Sequence, residues 1–74
     1  MMIKLKNSQG EEFEVDINGD DTVERIKERA EEQTGIPPEE QHLIFNNQRL
    51  SDDDQTCRDL NITAGSVVHI VQRP

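Results

Sequence analysis

The sequence has a single cysteine, no long apolar run, and half as many basic residues as acidic ones. Cys57 has no second cysteine with which to form a disulfide inside the chain. The sequence contains no apolar stretch of about 18 residues, and its first residues do not resemble a secretory signal peptide. These absences predict a protein that is neither secreted nor inserted in a membrane, and we expect it in the cytoplasm or the nucleus.

The shortage of positive charge argues against nucleic acid as a partner. The chain of 74 residues carries 16 acidic and 8 basic residues, so its formal net charge is −8. A surface of that charge repels phosphate backbones and gains no binding free energy from the release of counterions. The simplest interpretation is that the acidity keeps a small domain soluble, and an acidic docking face is the alternative.

Apolar residues are also scarce, at 31% of the chain. They recur with regular spacing, however, and this favours a compact fold over disorder. A chain of this length forms one domain with one modest core, and a buried catalytic cleft is uncommon at this size. We therefore predict a single domain over residues 1–74 that is not an enzyme.

One segment carries a strong helix signal. Val23, Ile26 and Ala30 fall on the same face of a helix, while charged residues cover the remaining surface. Thr22, or the aspartate before it, can cap the start, and Gly35 followed by two prolines ends the helix. So narrow an apolar stripe cannot stabilise an isolated helix, so the helix must pack on another element.

Strands are predicted on both sides of this helix. Alternation of apolar and polar residues indicates two strands at 2–6 and 12–17, joined as a hairpin by turn residues. After the prolines, a short strand at 43–45 reaches a turn at 46–47 that leads to another short strand, and residues 67–71 form the last one. This order predicts an α+β fold with one helix packed across one face of a sheet.

Two of these strands place apolar side chains on both of their faces. If Leu43 faces the core, the alternation of a strand turns Ile44 outward. In the last strand, the face opposite the core carries Val67, His69 and Val71. Such a face is either covered by another part of the protein or presented to a partner.

Three stretches of the sequence resemble the ubiquitin superfamily, most closely ubiquitin itself and the NEDD8-type modifiers. They are GIPPEEQHLIF at 35–45, the preceding DTVERIKERAEEQ at 21–33, and VVHIV at 67–71. The resemblance extends from Ile3 to Val71. It implies a β-grasp fold, which is a mixed sheet wrapped around one helix, with the two terminal strands parallel and adjacent at the centre of the sheet.

The resemblance also implies a binding surface. In ubiquitin a shallow apolar patch is recognised by ubiquitin-binding helices and small helical domains, and its residues match Ile44, His69 and Val71, here called the Ile44 patch. These are positions that strand alternation independently turns outward. His42 stands where the family usually has arginine and Ser8 where ubiquitin has leucine, so we expect a smaller and less basic patch.

Gln48, Arg73 and His42 complete the expected partner-binding residues. Gln48 occupies the best-known position for linking one ubiquitin to the next, where a lysine would be needed, and Arg73 matches a basic residue of the family's tail. The chain has only three lysines, and the resemblance implies that Lys27 is half-buried and paired with an acid, expected to be Asp52. We therefore do not expect efficient chain building.

Other groups of residues do not indicate catalysis or metal binding. Cys57 with His42 and His69 could suggest a thiol nucleophile, but Cys57 falls where the family buries an apolar residue, and a thiol in apolar surroundings is inert. The aspartates at 52–54 lack the ligand spacing and the glycine of a calcium loop, and the two histidines lie on different strands. No cofactor or metal is expected.

Three functions are compatible with the sequence. The favoured one is an embedded ubiquitin-like domain of a larger shuttle or adaptor protein, a monomeric module that binds proteasome ubiquitin receptors or ubiquitin-binding helices noncovalently. The alternative is a NEDD8-like or ubiquitin-like covalent modifier that lacks its Gly-Gly end here.

The helix favours the modifier, whereas the ending Gln72-Arg73-Pro74 opposes it, because conjugated members transfer a terminal glycine carboxylate to lysine. Pro74 fits the first residue of a linker better. An unrelated small enzyme on the same fold has no residue to support it.

Overall fold

A computed structural model describes residues 1–73 of the chain. Over these residues the chain forms one α-helix, one short 3₁₀ helix and a five-stranded sheet. In chain order the elements are β1 (Met2–Lys6), β2 (Glu12–Asp16), α1 (Val23–Thr34), the 3₁₀ helix (Pro38–Glu40), β3 (Gln41–Phe45), β4 (Gln48–Arg49) and β5 (Val67–Gln72). This arrangement confirms the predicted α+β, β-grasp fold.

The sheet has the strand order β2-β1-β5-β3-β4. The terminal strands β1 and β5 pair in parallel at its centre, with Leu5 opposite Val68 and Lys6 opposite His69. The other neighbouring pairs are antiparallel. The parallel central pair was expected from the family resemblance alone, because the periodicity of single strands carries no information about which strands become neighbours.

The first two strands form the predicted hairpin. Its turn is held by the side-chain oxygen of Asn7, which accepts hydrogen bonds from the backbone N–H groups of Gln9 and Glu11 at 3.0 and 2.9 Å. The second strand ends one residue earlier than the sequence predicts, yet Ile17 beyond it is still buried. Phe13, which strand alternation places on the same side of β2 as Val15, is half-buried at the margin of the core.

The helix has the predicted ends and the predicted buried face. The backbone N–H of Arg25 donates to Thr22 Oγ1 at 3.2 Å, and Gly35 adopts a left-handed conformation with φ of 76°, from which its N–H donates to the Glu31 carbonyl. Val23, Ile26 and Ala30 are its buried residues. Among residues 1–73, no helix is long and apolar enough to cross a membrane.

The core fills the space between α1 and the inner face of the sheet. Its buried apolar residues come from every strand but the short β4, from the helix and from the loop before β5. They are Ile3, Leu5, Val15, Ile17, Val23, Ile26, Ala30, Leu43, Leu50, Cys57, Ile62, Val68 and Ile70. The predicted inward positions of β1, α1, β3 and β5 are thereby confirmed.

The polar residues at 39–41 after the double proline predict an irregular connection, whereas the structure forms a 3₁₀ helix there over Pro38–Glu40. Gln41 is the buried first residue of β3, with 3% of its surface accessible. Gln41 Nε2 donates to the carbonyl oxygens of Lys27 and Ile36 at 2.9 and 2.8 Å. Burial of this amide is tolerated because its Nε2 donates to two backbone carbonyl oxygens.

The long loop before β5 is fastened to the start of the helix. The N–H of Val23 donates to the Gln55 carbonyl, and the N–H of Cys57 donates to the Asp21 carbonyl, both at 2.9 Å. Within this loop, Thr56 Oγ1 accepts a hydrogen bond from the Asp59 N–H at 3.1 Å. The bond from Val23 satisfies one of the donors that a helix start otherwise leaves without a partner.

We predict that Ile26→Asp unfolds the domain. Ile26 has no accessible surface, and a buried carboxylate without a partner costs several kcal/mol against a total stability of roughly 5–10 kcal/mol for a small domain. Circular dichroism at neutral pH should show no cooperative thermal transition. The control is Gln33→Asp, which adds the same charge at an exposed position of the same helix and should melt cooperatively. A native-like transition in Ile26→Asp would contradict the packing described.

Candidate functional site

The outer face of the sheet collects the residues of the Ile44 patch. In the antiparallel register of β3 and β5, Ile44 lies opposite His69 and His42 lies opposite Val71. Directly opposed residues point to the same side of a sheet, with Cβ atoms about 5 Å apart. Gln41 and Leu43 are buried, so the residues that alternate with them along β3, His42 and Ile44, face outward. The predicted grouping of the three patch residues on one face is therefore confirmed.

The accessibility of the patch is uneven. Val71 is 41% exposed and His69 is exposed, whereas the side chain of Ile44 is half-buried. Its half-burial has a local cause, since β3 is an inner strand of the sheet and Ile44 has a neighbour on each side, His69 on β5 and Arg49 on β4. Ile44 thus faces outward as predicted, but these neighbours leave its side chain half-buried.

Arg49 is a residue of this face that the sequence analysis missed. Asn46 and Asn47 have φ of 54° and 65°, so they form a two-residue turn of the kind that favours asparagine. A two-residue turn places Phe45 opposite Gln48 and therefore Ile44 opposite Arg49. The pattern was present in the sequence, because the predicted turn length already determines this register.

Gln48, a predicted partner-binding residue, is not brought into the patch. It is exposed on the edge strand β4 and pairs with Phe45, which alternates with Ile44 along β3. Paired residues share a side of the sheet, so Gln48 points to the side opposite Ile44. Its role in partner binding stays a prediction, at an exposed position on the edge next to the patch.

Arg73 lies beside the patch because the end of the chain folds onto the 3₁₀ helix. Its backbone N–H donates to the Glu40 carbonyl at 2.7 Å, and its Nη1 donates to the Glu39 carbonyl at 3.3 Å. Together with His42 and Arg49 it lines a groove of about 360 Å³, here called the His42 groove. The predicted linker role of Pro74 falls on the residue outside the described part of the chain.

His42 stands in a positive local field. Partial burial of the imidazole lowers its pKa below the ordinary value, and the nearby charges of Arg49, Arg73 and Lys27 lower it further. The neutral ring is therefore the favoured form at neutral pH. Where the family usually has a permanently charged arginine, this chain has a side chain whose charge depends on pH.

Lys27 is largely buried, as expected, but its partner differs from the predicted one. Lys27 Nζ lies 2.8 Å from Asp53 Oδ1, and 13% of the lysine side chain is accessible. The Asp53 carbonyl accepts the N–H of Glu24, which holds this residue over the start of the helix. Asp52, the predicted partner, instead accepts the N–H of Asp54 at 3.0 Å. The sequence does not distinguish Asp52 from Asp53 as the partner of Lys27, because the choice depends on how the loop is hydrogen-bonded to the start of the helix.

Cys57 lies in the core rather than near this site. Burial raises the pKa of its thiol, and the nearby Asp21 carboxylate raises it further, so the protonated form is favoured. A thiol in this state is a poor nucleophile. Within residues 1–73, no three histidine, cysteine or carboxylate side chains come together as metal ligands.

Comparison with known proteins shows the family. The family model described as "Ubiquitin family" matches residues 3–74. The chain belongs to the ubiquitin family. Ubiquitin-like protein NEDD8 of Dictyostelium discoideum is 46% identical over 71 residues, which cover 96% of this chain and 91% of that protein. Ubiquitin-like protein 1 of Schizosaccharomyces pombe is 45% identical, with 96% and 90% covered.

Another member of the ubiquitin family has a different proportion of its length matched. Ubiquitin-like protein 4A of Esox lucius is 31% identical over all 74 residues of this chain, which span 47% of that protein. The family thus includes relatives of nearly this chain's length and a relative in which the similar region is one part of a longer polypeptide. All three relatives are ubiquitin-like proteins by name, and no enzyme family is indicated.

We predict that Asp53→Asn destabilises the fold more than Asp52→Asn does. The first change leaves the ammonium group of Lys27 without its carboxylate in a largely buried position, at a cost of about 1 kcal/mol because Asp53 itself is half accessible. Asp52→Asn keeps an oxygen that can accept the Asp54 N–H and should be nearly neutral. Urea unfolding of the two variants measures the difference, and equal midpoints would contradict the pairing.

Proposed function

We propose that this ubiquitin-family chain is a NEDD8-like protein modifier that partner proteins recognise noncovalently through the Ile44 patch. The binding role rests on one observation, the register that sets Ile44 opposite His69 and brings Val71 to the same outer face. The modifier role rests on relatives of nearly the same length, named NEDD8 and ubiquitin-like protein 1, at 46% and 45% identity.

The physical basis for recognition is a small apolar area with a polar margin. Val71 and Val67 are 41% and 37% exposed on a strand whose other face is buried in the core. An exposed β-branched pair gains little within the domain itself, whereas a partner that covers it removes apolar surface from water. A short amphipathic helix or a small helical domain has the size and the apolar face to do so.

A second candidate is an embedded domain of a longer adaptor or shuttle protein that binds proteasome receptors. The observation that favours it is the similarity to ubiquitin-like protein 4A, of which the matched region is about half. Both candidates use the same outer face, so binding measurements alone do not separate them. They differ in whether a carboxylate at the end of the chain is activated and transferred to lysine.

We predict that the 74-residue chain is not charged by a NEDD8- or ubiquitin-activating enzyme, and that a variant with Gly-Gly appended is. Activation in this family needs a glycine carboxylate on an extended tail, and proline at the end fixes φ near −65° and removes an N–H donor. Each chain is incubated with ATP and the activating enzyme, and a reducible thioester is sought on a nonreducing gel, with ubiquitin as the positive control.

The two outcomes of this experiment separate the candidates. A thioester on the extended chain supports the modifier, because the domain is then recognised by the conjugation machinery. No thioester on the extended chain, with ubiquitin charged normally, would favour the embedded domain. A thioester on the unextended chain would overturn the requirement for glycine.

We also predict that Ile44→Ala weakens binding of a ubiquitin-interacting helix by about 1–2 kcal/mol, which is roughly tenfold or more. Because Ile44 is half-buried, the same change should cost about 1 kcal/mol of stability and leave a folded domain. Met2→Ala, at an exposed apolar residue of β1 outside the Ile44 patch, is the control and should bind nearly as well. Chemical-shift changes that avoid Ile44, His69 and Val71 would contradict the patch assignment.

A further inference from the structure

The turn between β2 and the helix contains the dipeptide Asn18-Gly19. Asn18 is exposed, and its side-chain amide makes no hydrogen bond to any of residues 1–73. Over the same described residues, the backbone N–H of Gly19 has no acceptor. The amide carbon of one residue and the backbone nitrogen of the next are therefore both unengaged, at a position that water reaches.

These two groups can react with each other. The Gly19 nitrogen, after losing its proton, attacks Cγ of Asn18 and closes a succinimide ring, and the side-chain nitrogen takes up a proton and leaves as ammonia. Water then opens the ring at either of its two carbonyl groups. One opening gives aspartate, and the other gives isoaspartate, in which the main chain runs through the side-chain carbons. Glycine favours ring closure because it has no side chain to hinder the attack and few conformational restrictions.

The other asparagines of the chain lack one or both of these features. The side-chain oxygen of Asn7 accepts the N–H groups of Gln9 and Glu11 at 3.0 and 2.9 Å, and its Nδ2 donates to Glu11 Oε1 at 2.8 Å. The residue after it is serine. The remaining three, each followed by a residue larger than alanine, are Asn46, Asn47 and Asn61. Asn18 is the one asparagine that precedes a glycine.

We propose that Asn18 is a site of spontaneous deamidation, at which water converts the side-chain amide to a carboxylate through a succinimide formed with Gly19. The products are ammonia and a chain with aspartate or isoaspartate at position 18. Neither step needs a co-reactant other than water. The inference is independent of the proposed function, because it concerns the turn before the helix and not the outer face of the sheet.

The isoaspartate product changes how the loop before β5 is held. The Gly19 carbonyl accepts the N–H of Arg58, and the Asp21 carbonyl accepts the N–H of Cys57, both at 2.9 Å. The turn itself is closed by the Asp21 N–H, which donates to the Asn18 carbonyl at 3.0 Å. Isoaspartate adds a carbon to the main chain and removes that carbonyl from its place. Hydrogen bonds weaken steeply when their geometry is disturbed, so the loop is loosened from the start of the helix.

The aspartate product has a smaller effect. Its main chain is unchanged, and it adds one negative charge near the Asp21 carboxylate, which accepts the N–H of Asn18 at 2.8 Å. The side chain of residue 18 is exposed, so water and salt screen this repulsion. The variant Asn18→Asp reproduces this product. It therefore separates the effect of the added charge from the effect of the longer main chain.

The test follows deamidation of the 74-residue chain by mass spectrometry during storage at neutral pH and physiological temperature. Trypsin releases the peptide 7–25, which contains both Asn7 and Asn18, so fragmentation compares the two asparagines in one sample. Chromatography separates the aspartate and isoaspartate peptides, which have the same mass. We expect conversion at Asn18 to be about tenfold or more faster than at Asn7, which is hydrogen-bonded and precedes a serine.

Two substitutions make the assignment specific. A Cβ added at Gly19 would lie 3.4 Å from Nη2 of the exposed Arg58 side chain, and Gly19 is not among the glycines with positive φ. Gly19→Ala should therefore fold, and its methyl group should slow conversion at Asn18 about tenfold or more without changing Asn7. Asn18→Gln keeps an amide but would have to close a larger ring, so it should show almost no conversion at this position.

Amide hydrogen exchange of the purified isoaspartate form measures the structural consequence. The N–H groups of Arg58 and Cys57 should exchange about tenfold or more faster than in the starting chain, because their acceptors have been displaced. The N–H of Lys4, which donates to the Ser66 carbonyl at 2.9 Å in another part of the fold, should change less. Asn18→Asp should leave exchange at all three groups within about twofold.

Three results would overturn the proposal. Equal conversion at Asn18 and Asn7 would show that the unengaged amide and the following glycine do not matter. An unchanged rate at Asn18 in Gly19→Ala would exclude attack by the backbone nitrogen as the step that limits conversion. Unchanged exchange at Arg58 and Cys57 in the isoaspartate form would exclude the loosening of the loop.

Discussion

The hydrogen-bonded amide of Gln41 holds the start of β3 to the helix and to the segment that follows the helix. Its Nε2 lies between the carbonyl oxygens of Lys27 in the helix and Ile36 in the segment that follows, so the amide orientation is fixed by its partners. A side chain that is 3% exposed and bonded in this way holds the first residue of β3 against the helix. An apolar residue of similar size would fill the space but remove both of these hydrogen bonds, each of which contributes about 0.5–1.5 kcal/mol to stability.

The inward position of Gln41 has a consequence on the opposite face of the sheet. Because successive side chains of a strand alternate, burial of Gln41 and Leu43 turns His42 and Ile44 outward. A one-residue slip of β3 would exchange the two sets and place the patch in the core. The two-residue turn after Phe45 fixes the other end of the strand, so both the patch and the neighbouring cations depend on a strand held in register at its two ends.

The parts of the structure that could be predicted from sequence are those governed by local periodicity and turn chemistry. Thr22 and Gly35 mark the helix ends by the conformations they allow, and the alternation in β3 was enough to turn Ile44 outward. What could not be predicted depends on contacts between distant segments. The choice of Asp53 over its neighbour as partner of Lys27 follows from a loop bonded to the helix start, and the position of Arg73 follows from its bonds to the 3₁₀ helix.

The site differs from the family pattern chiefly in the placement of positive charge. His42 stands on β3 where a permanent cation is usual, while Arg49 brings a guanidinium group to the adjacent β4, opposite Ile44. Its charge in turn disfavours protonation of the histidine. The position beside Val71 is therefore titratable. Because the backbone register is the same for either side chain, histidine at this position makes the local charge depend on pH without altering the apolar surface next to it.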